Sequence, residues 1–339
     1  MDNTQVQAGL MAPGRQRPFY LRALTAVFLE RRLPYQLQRR LSRAYYLRKA
    51  SAAVFRFVRW TPPVVSTESS DLEVVTLLDR ANVHAYLIGI KSFLYHSGRK
   101  ARITILSDGS VTKAQSRLLE QHIRGVRIIN TRGGRVNVPG RPDRLQKIYD
   151  EHVHTRKALA LPLEDLKDTI LLLDSDVIFR SAIDPDFTDL ASVDLKYNRD
   201  HDHRIHDPLF HLAESFMDRL PVKQPVYNLN SGLLVFRKSV LNLGRVADFL
   251  LYLDAQDKLH AVMEQDCYAL LASMVRSQPL SDRYWVGCNP DHNSDPLSGR
   301  QAIAKHYVSG VRYQSLDYIR DCWRAMRACR LAARRVRQP

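Results

Sequence analysis

Short apolar runs alternate with amphipathic segments along the middle of the chain. Residues 73–79 (EVVTLLD) and 102–108 (RITILSD) are apolar runs that predict strands. Residues 85–97 and 111–123 have apolar positions at helical spacing and predict helices. The polar, glycine-rich stretch 130–144 predicts a loop. Because strands that alternate with helices form parallel sheets, the pattern predicts an α/β fold.

Two aspartates interrupt the next apolar run, DTILLLDSDVIF at residues 168–179. The segments 170–173 and 177–179 predict a strand buried on both faces, with Asp174 and Asp176 at its carboxyl end. In an extended strand these carboxylates would lie about 6–7 Å apart on one side and repel each other. A divalent cation removes that repulsion, and α/β sheets bind ligands at this edge. Taken alone, the pair also fits a loop exposed to water.

The excess positive charge lies at the two ends of the chain. The 339 residues are 45% hydrophobic and carry a formal net charge of +16, with +10 in residues 1–62 and +6 in residues 312–339. The remaining residues, 63–311, are formally neutral. A nucleic-acid-binding core would carry its basic patch on the folded domain, so we expect no nucleic-acid partner. We expect a basic amphipathic helical N-terminal extension, a central domain and a basic amphipathic C-terminal helix.

Both basic ends have the pattern of helices that lie on an anionic membrane. Residues 15–60 combine aromatic and aliphatic positions with arginines, Pro34 breaks the pattern, and residues 61–71 predict a linker. The C-terminal segment has arginines at helical spacing, namely Arg320, Arg324, Arg327 and Arg334. An apolar stripe runs beside them and comprises Leu316, Ile319, Cys322, Met326 and Cys329. The pattern predicts membrane attachment, while packing on the core or an oligomer interface are the alternatives.

Cysteine spacing and the N-terminal sequence favour a cytoplasmic protein. The four cysteines have no zinc-site or disulfide-framework spacing, which fits a reducing compartment. The first residues lack the pattern of a signal peptide, and no apolar run approaches the roughly 18 residues that span a bilayer. With the basic ends, these features predict a protein that is peripheral on the cytoplasmic face of a membrane.

Several motifs follow one another in a specific order between residues 73 and 312. They are Asp79 and Asn82 after the first strand, Arg156 and Lys157 in HTRKALAL, Asp174 and Asp176, Asp194 in ASVDLKYNRD, Asn230, Ser231 and Gly232 in YNLNSGLLVF, Glu264 and Gln265 in EQDCYALL, and His306, Gly310 and Arg312 in HYVSGVRY. In this order they resemble the retaining glycosyltransferases of family eight, which include bacterial lipopolysaccharide α-galactosyltransferases and glycogenin.

The resemblance implies a fold, a reaction and a metal site. It implies a GT-A-type α/β domain with a Rossmann-like donor half, and transfer of a hexose from a nucleotide-diphosphate sugar, usually a UDP-sugar. The acceptor would be a glycan or lipid-linked glycan, and the product an α-glycoside. The implied metal ligands are Asp174, Asp176 and His306, and a neutral imidazole favours Mn²⁺ over Mg²⁺.

The resemblance also implies roles for the other motif residues. The donor-binding residues would be Asp79, Asn82, Arg156, Lys157, Asp174, Asn230, Gly310 and Arg312. The residues at the reacting sugar would be Gln265, Asp194 and Glu264, with Glu264 in place of the family's aspartate. Gly232 would let the backbone pass close to the donor. Arg312 follows Gly310 after one residue, whereas the family has a lysine after two.

Other protein classes share parts of these motifs. An inverting GT-A transferase, a haloacid-dehalogenase-type phosphatase with its Asp-x-Asp motif, a nucleotidyltransferase and an inactive sugar-binding scaffold are the alternatives. The phosphatase motif normally lies on the first strand, and nucleotidyltransferases have a glycine-rich basic loop that this chain lacks after its first strand. The four histidines between residues 201 and 211 are expected to lie in a solvated loop, without a metal.

Overall fold

A computed structural model describes residues 43–136, 138, 142–161, 165–199, 215–216, 218–287, 302–308, 312–313 and 315–336. Gly310 and the histidines of residues 201–211 lie outside the described residues. The chain divides into two compact units, residues 1–46 and 47–339, and only residues 43–46 of the first are described. The boundaries predicted at residues 62 and 312 stay a prediction.

The described residues form eight α-helices and twelve β-strands. The helices are α1 (Arg43–Phe55), α2 (Val83–Ser97), α3 (Lys113–His122), α4 (Pro142–Glu151), α5 (Arg156–Leu159), α6 (Leu243–Ala255), α7 (Met263–Met274) and α8 (Asp317–Val336). The strands are β1 (Val64–Val65), β2 (Leu72–Leu78), β3 (Arg102–Ser107), β4 (Ile123–Arg124), β5 (Arg127–Asn130), β6 (Thr169–Leu173), β7 (Val177–Phe179), β8 (Leu195–Arg199), β9 (Leu229–Arg237), β10 (Ser277–Pro279), β11 (Tyr284–Gly287) and β12 (Ala304–Tyr307).

The strands form a seven-stranded sheet in the order β10-β8-β9-β6-β2-β3-β5, a three-stranded sheet β11-β12-β7, and the pair β1-β4. The predicted parallel arrangement is confirmed for β6, β2, β3 and β5. Strand β9 differs, because it runs antiparallel to both β6 and β8. This reversal brings the amino end of β9 to the edge at which β6 ends.

The strand predicted across residues 170–179 is divided in two. After β6 the chain turns, with the Val177 N–H donating to the Asp174 carbonyl at 3.2 Å, and β7 pairs antiparallel with β12 in the smaller sheet. The two aspartates therefore lie in a turn between two sheets. This position corrects the expectation of an extended pair, and it places the aspartates beside the end of β12.

Alternate side chains of the large sheet enter two hydrophobic clusters, as the two-residue period of a strand requires. Leu171 and Leu173 of β6 join a cluster that includes α2 and α8, while Ile170 and Leu172 join one that includes α6 and α7. Gly89 lets α2 approach β7 closely, since a Cβ at this position would lie 2.7 Å from the Val177 carbonyl oxygen. The sheet is thus covered by helices on both faces.

Parts of both basic end segments belong to the hydrophobic core. Phe55 and Val58 from the N-terminal side, and Tyr318, Cys322 and Met326 of α8, are buried in the cluster that includes α2. Two residues of the apolar stripe of α8, Cys322 and Met326, are therefore occupied by packing within the protein, whereas Leu316 is exposed. Among the described helices, none has the length and apolar character needed to cross a bilayer.

A buried lysine joins the segment after α1 to the central fold. The ammonium group of Lys91, which is 1% exposed, donates to Thr61 Oγ1 at 2.8 Å and to the Pro62 carbonyl at 2.6 Å. Its third partner is His122 Nδ1 at 2.9 Å, so this ring is neutral when it accepts the bond. Burial, then the charges of Lys91 and Arg59, lower the pKa of His122 to about 4.

We predict that the free energy of unfolding falls as the pH drops from about 6.5 to about 4, partly because of His122. In this window the unfolded chain binds a proton that the folded protein excludes, so acid favours unfolding. His122→Asn keeps an acceptor for Lys91 but does not titrate. Urea unfolding should show a flatter pH profile for this variant, and identical profiles for the two proteins would contradict the prediction.

Candidate metal and donor site

Asp174, Asp176 and His306 converge where β6 ends and β12 ends. His306 Nε2 lies 3.2 Å from Asp176 Oδ1 and 3.6 Å from Asp174 Oδ2. One ligand atom from each residue falls within 4.8 Å of the others, which is a spacing that a single cation can bridge. Asp176 and His306 are buried, and Asp174 is partly exposed at the open side. The three residues predicted as metal ligands are thus brought together.

Asn230 sets the tautomer of the histidine. The Gly232 N–H donates to Asn230 Oδ1 at 3.0 Å, which identifies this atom as the amide oxygen. The same oxygen lies 2.7 Å from His306 Nδ1, so Nδ1 carries the proton and donates it to Asn230. Nε2 then faces the two aspartates and is the ring nitrogen that a bound cation would contact. Asn230 was predicted to bind donor, and the structure gives it this orienting position.

Two cationic side chains hold the outer oxygens of the carboxylates. Lys157 Nζ lies 2.6 Å from Asp174 Oδ1, and Arg312 Nη2 lies 2.7 Å from Asp176 Oδ2. The inner oxygens, Asp174 Oδ2 and Asp176 Oδ1, are the ones that face His306. A cation can therefore bind the inner oxygens and the imidazole while Lys157 and Arg312 keep their ion pairs.

The ionisation of this cluster is set by burial and by opposite charges. Burial alone would raise the pKa of Asp176, but Arg312 and His306 outweigh it and lower the pKa to about 2. Burial opposes the charge of Lys157, yet the nearby carboxylates of Asp174 and Glu264 raise its pKa. Both aspartates that face His306 are thus held by cations, and Asp176 stays ionised at neutral pH.

Glu264 and Gln265, at the first turn of α7, line the inner side of the cluster. Glu264 Oε1 accepts from Ser231 Oγ at 3.1 Å and lies 3.8 Å from Lys157 Nζ. Glu264 Oε2 is buried and has no hydrogen-bond partner among the described residues. Burial raises the pKa of Glu264 against the opposing charge of Lys157. Gln265 Oε1 accepts from the Ser231 N–H at 3.2 Å and from Asn230 Nδ2 at 3.4 Å.

A cavity of about 430 Å³ lies beside Arg312. Asp79 and Asn82, predicted to bind donor, line it together with Arg312. Arg312 Nη1 donates to Asn82 Oδ1 at 3.0 Å, and Asn82 Nδ2 donates to Asp79 Oδ2 at 2.9 Å. Because Arg312 also binds Asp176, a continuous chain of polar contacts connects this cavity to the candidate metal site.

Arg156 has a different position from the one expected of a phosphate-binding residue. Its side chain is buried at 4% exposure and lies over the ring of Tyr149, with its centre 5.2 Å from the ring centroid. The guanidinium donates to three backbone carbonyl oxygens, those of Asp108, Tyr149 and Asp150. These bonds hold the end of β3 against the end of α4, so Arg156 stabilises the elements that surround the site.

Asp194 is not brought to the site, which corrects its predicted catalytic role. It precedes β8 and pairs with Arg276 at 3.3 Å, near Arg237 at the carboxyl end of β9. Asn230 lies at the other end of β9, about 20 Å away at the rise of an extended strand. The residue of β8 opposite Asn230 is Asn198, which is buried. The sequence analysis did not single out Asn198.

Gly232 is required by the histidine ring, while its role beside the donor stays a prediction. A Cβ at this position would overlap ring atoms of His306. The backbone of Gly232 also accepts from the Asp174 N–H at 2.8 Å, which ties β9 to the aspartate turn. The absence of a side chain at residue 232 thus lets all three candidate ligands meet.

We predict that Asn230→Ala weakens Mn²⁺ binding by about 10–100-fold, the usual cost of losing the group that orients a metal-binding histidine. Without its acceptor, Nδ1 no longer fixes the ring, and Nε2 is free to hold the proton instead. Isothermal titration with MnCl₂ measures the affinity directly. Ser231→Ala, one residue along β9, is the control for disturbance of the strand, and equal affinities of the two variants would contradict the prediction.

Comparison with solved structures identifies the fold. The sequence matches no protein-family model and no curated protein. The bifunctional glycosyltransferase WbbM is similar in structure, with a TM-score of 0.50 and 12% identity, over 79% of this chain and 53% of that chain. The galactosyltransferase LgtC, solved with donor and acceptor sugar analogues, has a TM-score of 0.45 and 18% identity, over 77% and 95%. The glycosyltransferase GlyE of Streptococcus pneumoniae has a TM-score of 0.45 and 15% identity, over 79% and 64%.

The match to WbbM confirms the α/β fold that the resemblance implied, and the fold is that of the GT-A nucleotide-sugar transferases. The chain spans about half the length of WbbM, at 53%. The position of the aspartate cluster agrees with that fold, since it lies at the carboxyl end of a central strand, where open α/β sheets bind ligands.

Proposed function

We propose that the protein is a metal-dependent glycosyltransferase that moves a hexose from a nucleotide-diphosphate sugar to a glycan or lipid-linked glycan. The observation that carries this proposal is that the inner and the outer oxygens of Asp174 and Asp176 have different partners. The inner oxygens and His306 Nε2 form a ligand set for one divalent cation, and the outer oxygens position Lys157 and Arg312 on either side. Two carboxylates and an imidazole suit Mn²⁺ better than Mg²⁺.

The charges of this arrangement favour a diphosphate. The two aspartates cancel the charges of Lys157 and Arg312, and an ionised Glu264 adds one negative charge, so a bound divalent ion would leave the cluster with an excess of at least one positive charge. Such an ion, held by Asp174, Asp176 and His306, would offset the negative charge that grows on the departing diphosphate. Arg312 donates from a planar guanidinium that fits phosphate oxygens, and Asp79 and Asn82 continue the site toward the nucleoside. UDP is our proposed nucleotide.

Glu264 and Gln265 would face the transferred sugar. The unpartnered Glu264 Oε2 is a buried acceptor, and a sugar hydroxyl would supply the donor that the protein lacks there. Gln265 is fixed by its bonds to β9 and would lie beside the reacting carbon. No described residue of the cluster is an unambiguous nucleophile, and the proposal leaves both retaining mechanisms open.

The direct test is release of nucleotide from UDP-hexoses and GDP-hexoses with Mn²⁺, Mg²⁺ or EDTA. We expect slow hydrolysis of at least one donor in the presence of Mn²⁺, which EDTA stops and which an acceptor accelerates. Lys157→Met removes one cation beside the diphosphate and should lower the rate, whereas Lys147→Met removes an exposed one and should not. A rate that is insensitive to EDTA would contradict the proposed metal dependence.

We predict that the product is an α-glycoside, because we propose that the reaction retains the configuration of an α-linked donor. The coupling constant of the anomeric proton in the NMR spectrum of the product distinguishes α from β linkages. A β-linked product would place the enzyme among inverting transferases, and Glu264 would then become the candidate general base.

We further propose that the enzyme is cytoplasmic and attaches to an anionic membrane surface through an aromatic and basic patch. This patch consists of Phe57, Trp60, Trp323 and Arg330, and Leu331, next to Arg330 in the chain, is also exposed. Trp60 is 68% exposed and Trp323 is 47% exposed, and indole rings favour the membrane interface. Each nearby basic residue contributes about 1 kcal/mol at an anionic surface.

Liposome sedimentation tests this attachment with point variants, because deletion of α8 would also remove core residues. We expect binding to anionic vesicles that salt weakens and that Trp60→Ala and Trp323→Ala reduce. Tyr227→Ala, at an aromatic residue before β9 that is 49% exposed, is the control. Failure of the full chain to bind anionic vesicles at low salt would remove the membrane from the proposal.

A further inference from the structure

The cavity beside Arg312 is built from three parts of the chain. The end of β2 and the start of α2 contribute Asp79, Ala81, Asn82 and Ala85, and the segment that leads into α8 contributes Arg312, Tyr313 and Tyr318. Helix α1 contributes the remaining lining residues, Arg48, Ser51, Ala52 and Phe55. These four residues come from the basic N-terminal extension, which the sequence had predicted to bind a membrane.

The part of α1 that lines the cavity is anchored to the core. Phe55 is 5% exposed and meets the ring of Tyr318 edge-on, with the ring centroids 5.1 Å apart. Ser51 is 2% exposed and donates to the Arg48 carbonyl at 2.9 Å. Arg48 and Ala52 are exposed, so they lie on the side of α1 that remains open to an incoming ligand. The helix therefore forms a fixed wall with an accessible edge.

The lining has the chemistry of a nucleoside site. A nucleobase has flat faces that stack on tyrosine rings and arginine guanidinium groups, and Tyr313 and Arg48 supply one of each. The side chains of Asp79 and Asn82 provide acceptors and donors for a ribose and the polar edge of a base. A volume of about 430 Å³ lies within the range of small-ligand sites.

Position favours the nucleoside over the acceptor as the occupant. Arg312 lines the cavity and also binds Asp176, so a diphosphate held at the cluster would have its nucleoside end at the cavity mouth. Glu264 and Gln265, which we place at the transferred sugar, are absent from the lining. The cavity and the sugar position therefore lie on different sides of the diphosphate.

We propose that α1 forms the outer wall of the donor's nucleoside pocket, and that Arg48 is a donor-binding residue. This inference rests on the proposed function, because it assigns an occupant to the same donor site. It gives the N-terminal extension a role in donor recognition, and it makes α1 a determinant of which nucleotide binds.

Two neighbouring alanines of α1 provide a matched test. Ala52 and Ala53 are both exposed, but only Ala52 lines the cavity. Ala52→Trp should fill the cavity mouth and weaken binding of UDP or GDP with Mn²⁺ by about tenfold or more, whereas Ala53→Trp should leave it unchanged. Neither change should affect binding of inorganic pyrophosphate with Mn²⁺, since pyrophosphate lacks the nucleoside. Isothermal titration of the full chain measures all these affinities.

A second pair tests Arg48 itself. Arg48→Ala should weaken binding of the same nucleotide diphosphate about tenfold, the loss expected when one charged contact is removed. Lys49→Ala removes an equal charge from the adjacent position, which does not line the cavity, and should change binding little. Arg48→Ala should also leave pyrophosphate binding unchanged, which distinguishes a nucleoside contact from a general effect of charge.

The outcomes separate this inference from the proposed function. If the wild-type chain binds UDP or GDP with Mn²⁺ and the four variants bind it equally well, α1 is not part of the pocket and the inference is wrong. If the variants at residues 48 and 52 weaken pyrophosphate and nucleotide alike, the residues act on the metal cluster, and the inference is again wrong. If the wild-type chain binds pyrophosphate with Mn²⁺ but neither nucleotide, the cavity is not a nucleoside pocket. If it binds none of the three, the proposed function fails, and the inference fails with it.

Discussion

Asp176→Asn should reduce Mn²⁺-dependent donor hydrolysis about a thousandfold, since a metal ion at a leaving oxygen contributes several kcal/mol. The amide keeps the size of the side chain but offers a weaker ligand. Asp176 is 3% exposed, so no side chain from the surface can take the place of its carboxylate as a metal ligand. Donor turnover measured at saturating Mn²⁺ gives the effect on the reaction.

The same substitution should also destabilise the metal-free protein by about 3 kcal/mol, because Arg312 loses its partner in a largely buried ion pair. A simple repulsion between the two aspartates would predict the opposite, namely a gain in stability. Asp71→Asn, an exposed residue directly before β2, is the control in urea unfolding and should change little. A variant at residue 176 with wild-type turnover would refute the assignment of the metal site.

Gly232→Ala should abolish detectable Mn²⁺ binding, because the added methyl group occupies the space of the His306 ring. The ring cannot rotate away without breaking its bond to Asn230. We expect a loss of stability of about 2–3 kcal/mol, the cost of overpacking a tight interior. Titration with MnCl₂ and urea unfolding give the two quantities.

A double-mutant cycle locates the cause of this effect. In the background His306→Ala the ring is absent, so adding Gly232→Ala should cost much less stability than it does in the wild type. Metal binding should be lost in all three variants, since each lacks a correctly placed imidazole. If Gly232→Ala costs the same in both backgrounds, the methyl group clashes with the backbone, and the histidine is not the reason for the glycine.

The sequence predicted the parts of the site whose chemistry is local. A buried strand followed by Asp174 and Asp176 indicates the sheet edge directly, and the ordered motifs add His306 and Arg312. The sequence could not show that each aspartate is paired with its own cationic side chain. Lys157 lies 17 residues before Asp174, and Arg312 lies 136 residues after Asp176. The orienting bond of Asn230 to His306 is equally non-local, and depends on the antiparallel course of β9.

The surroundings of other residues could not be predicted from the sequence, for related reasons. Asp194 resembles a strand-end residue of the site. Its strand β8 is antiparallel to β9, however, so residue 194 lies at the end of the sheet opposite to Asn230. Arg156 is a buried guanidinium whose carbonyl partners are invisible in the sequence. The apolar stripe of α8 has the same pattern whether it faces a lipid or a core. Amphipathicity identifies the helix and its apolar face, but it does not identify what covers that face.

The burial of Phe55, Val58, Tyr318 and Met326 in one cluster has a consequence for synthesis on the ribosome. Helix α2 emerges early, but α8, which covers it, follows more than 200 residues later. Translation at about 5–20 residues per second leaves that apolar face uncovered for at least about ten seconds. The nascent chain therefore exposes an apolar surface that can aggregate during this interval. We expect a chaperone that binds apolar segments to raise the yield of folded enzyme.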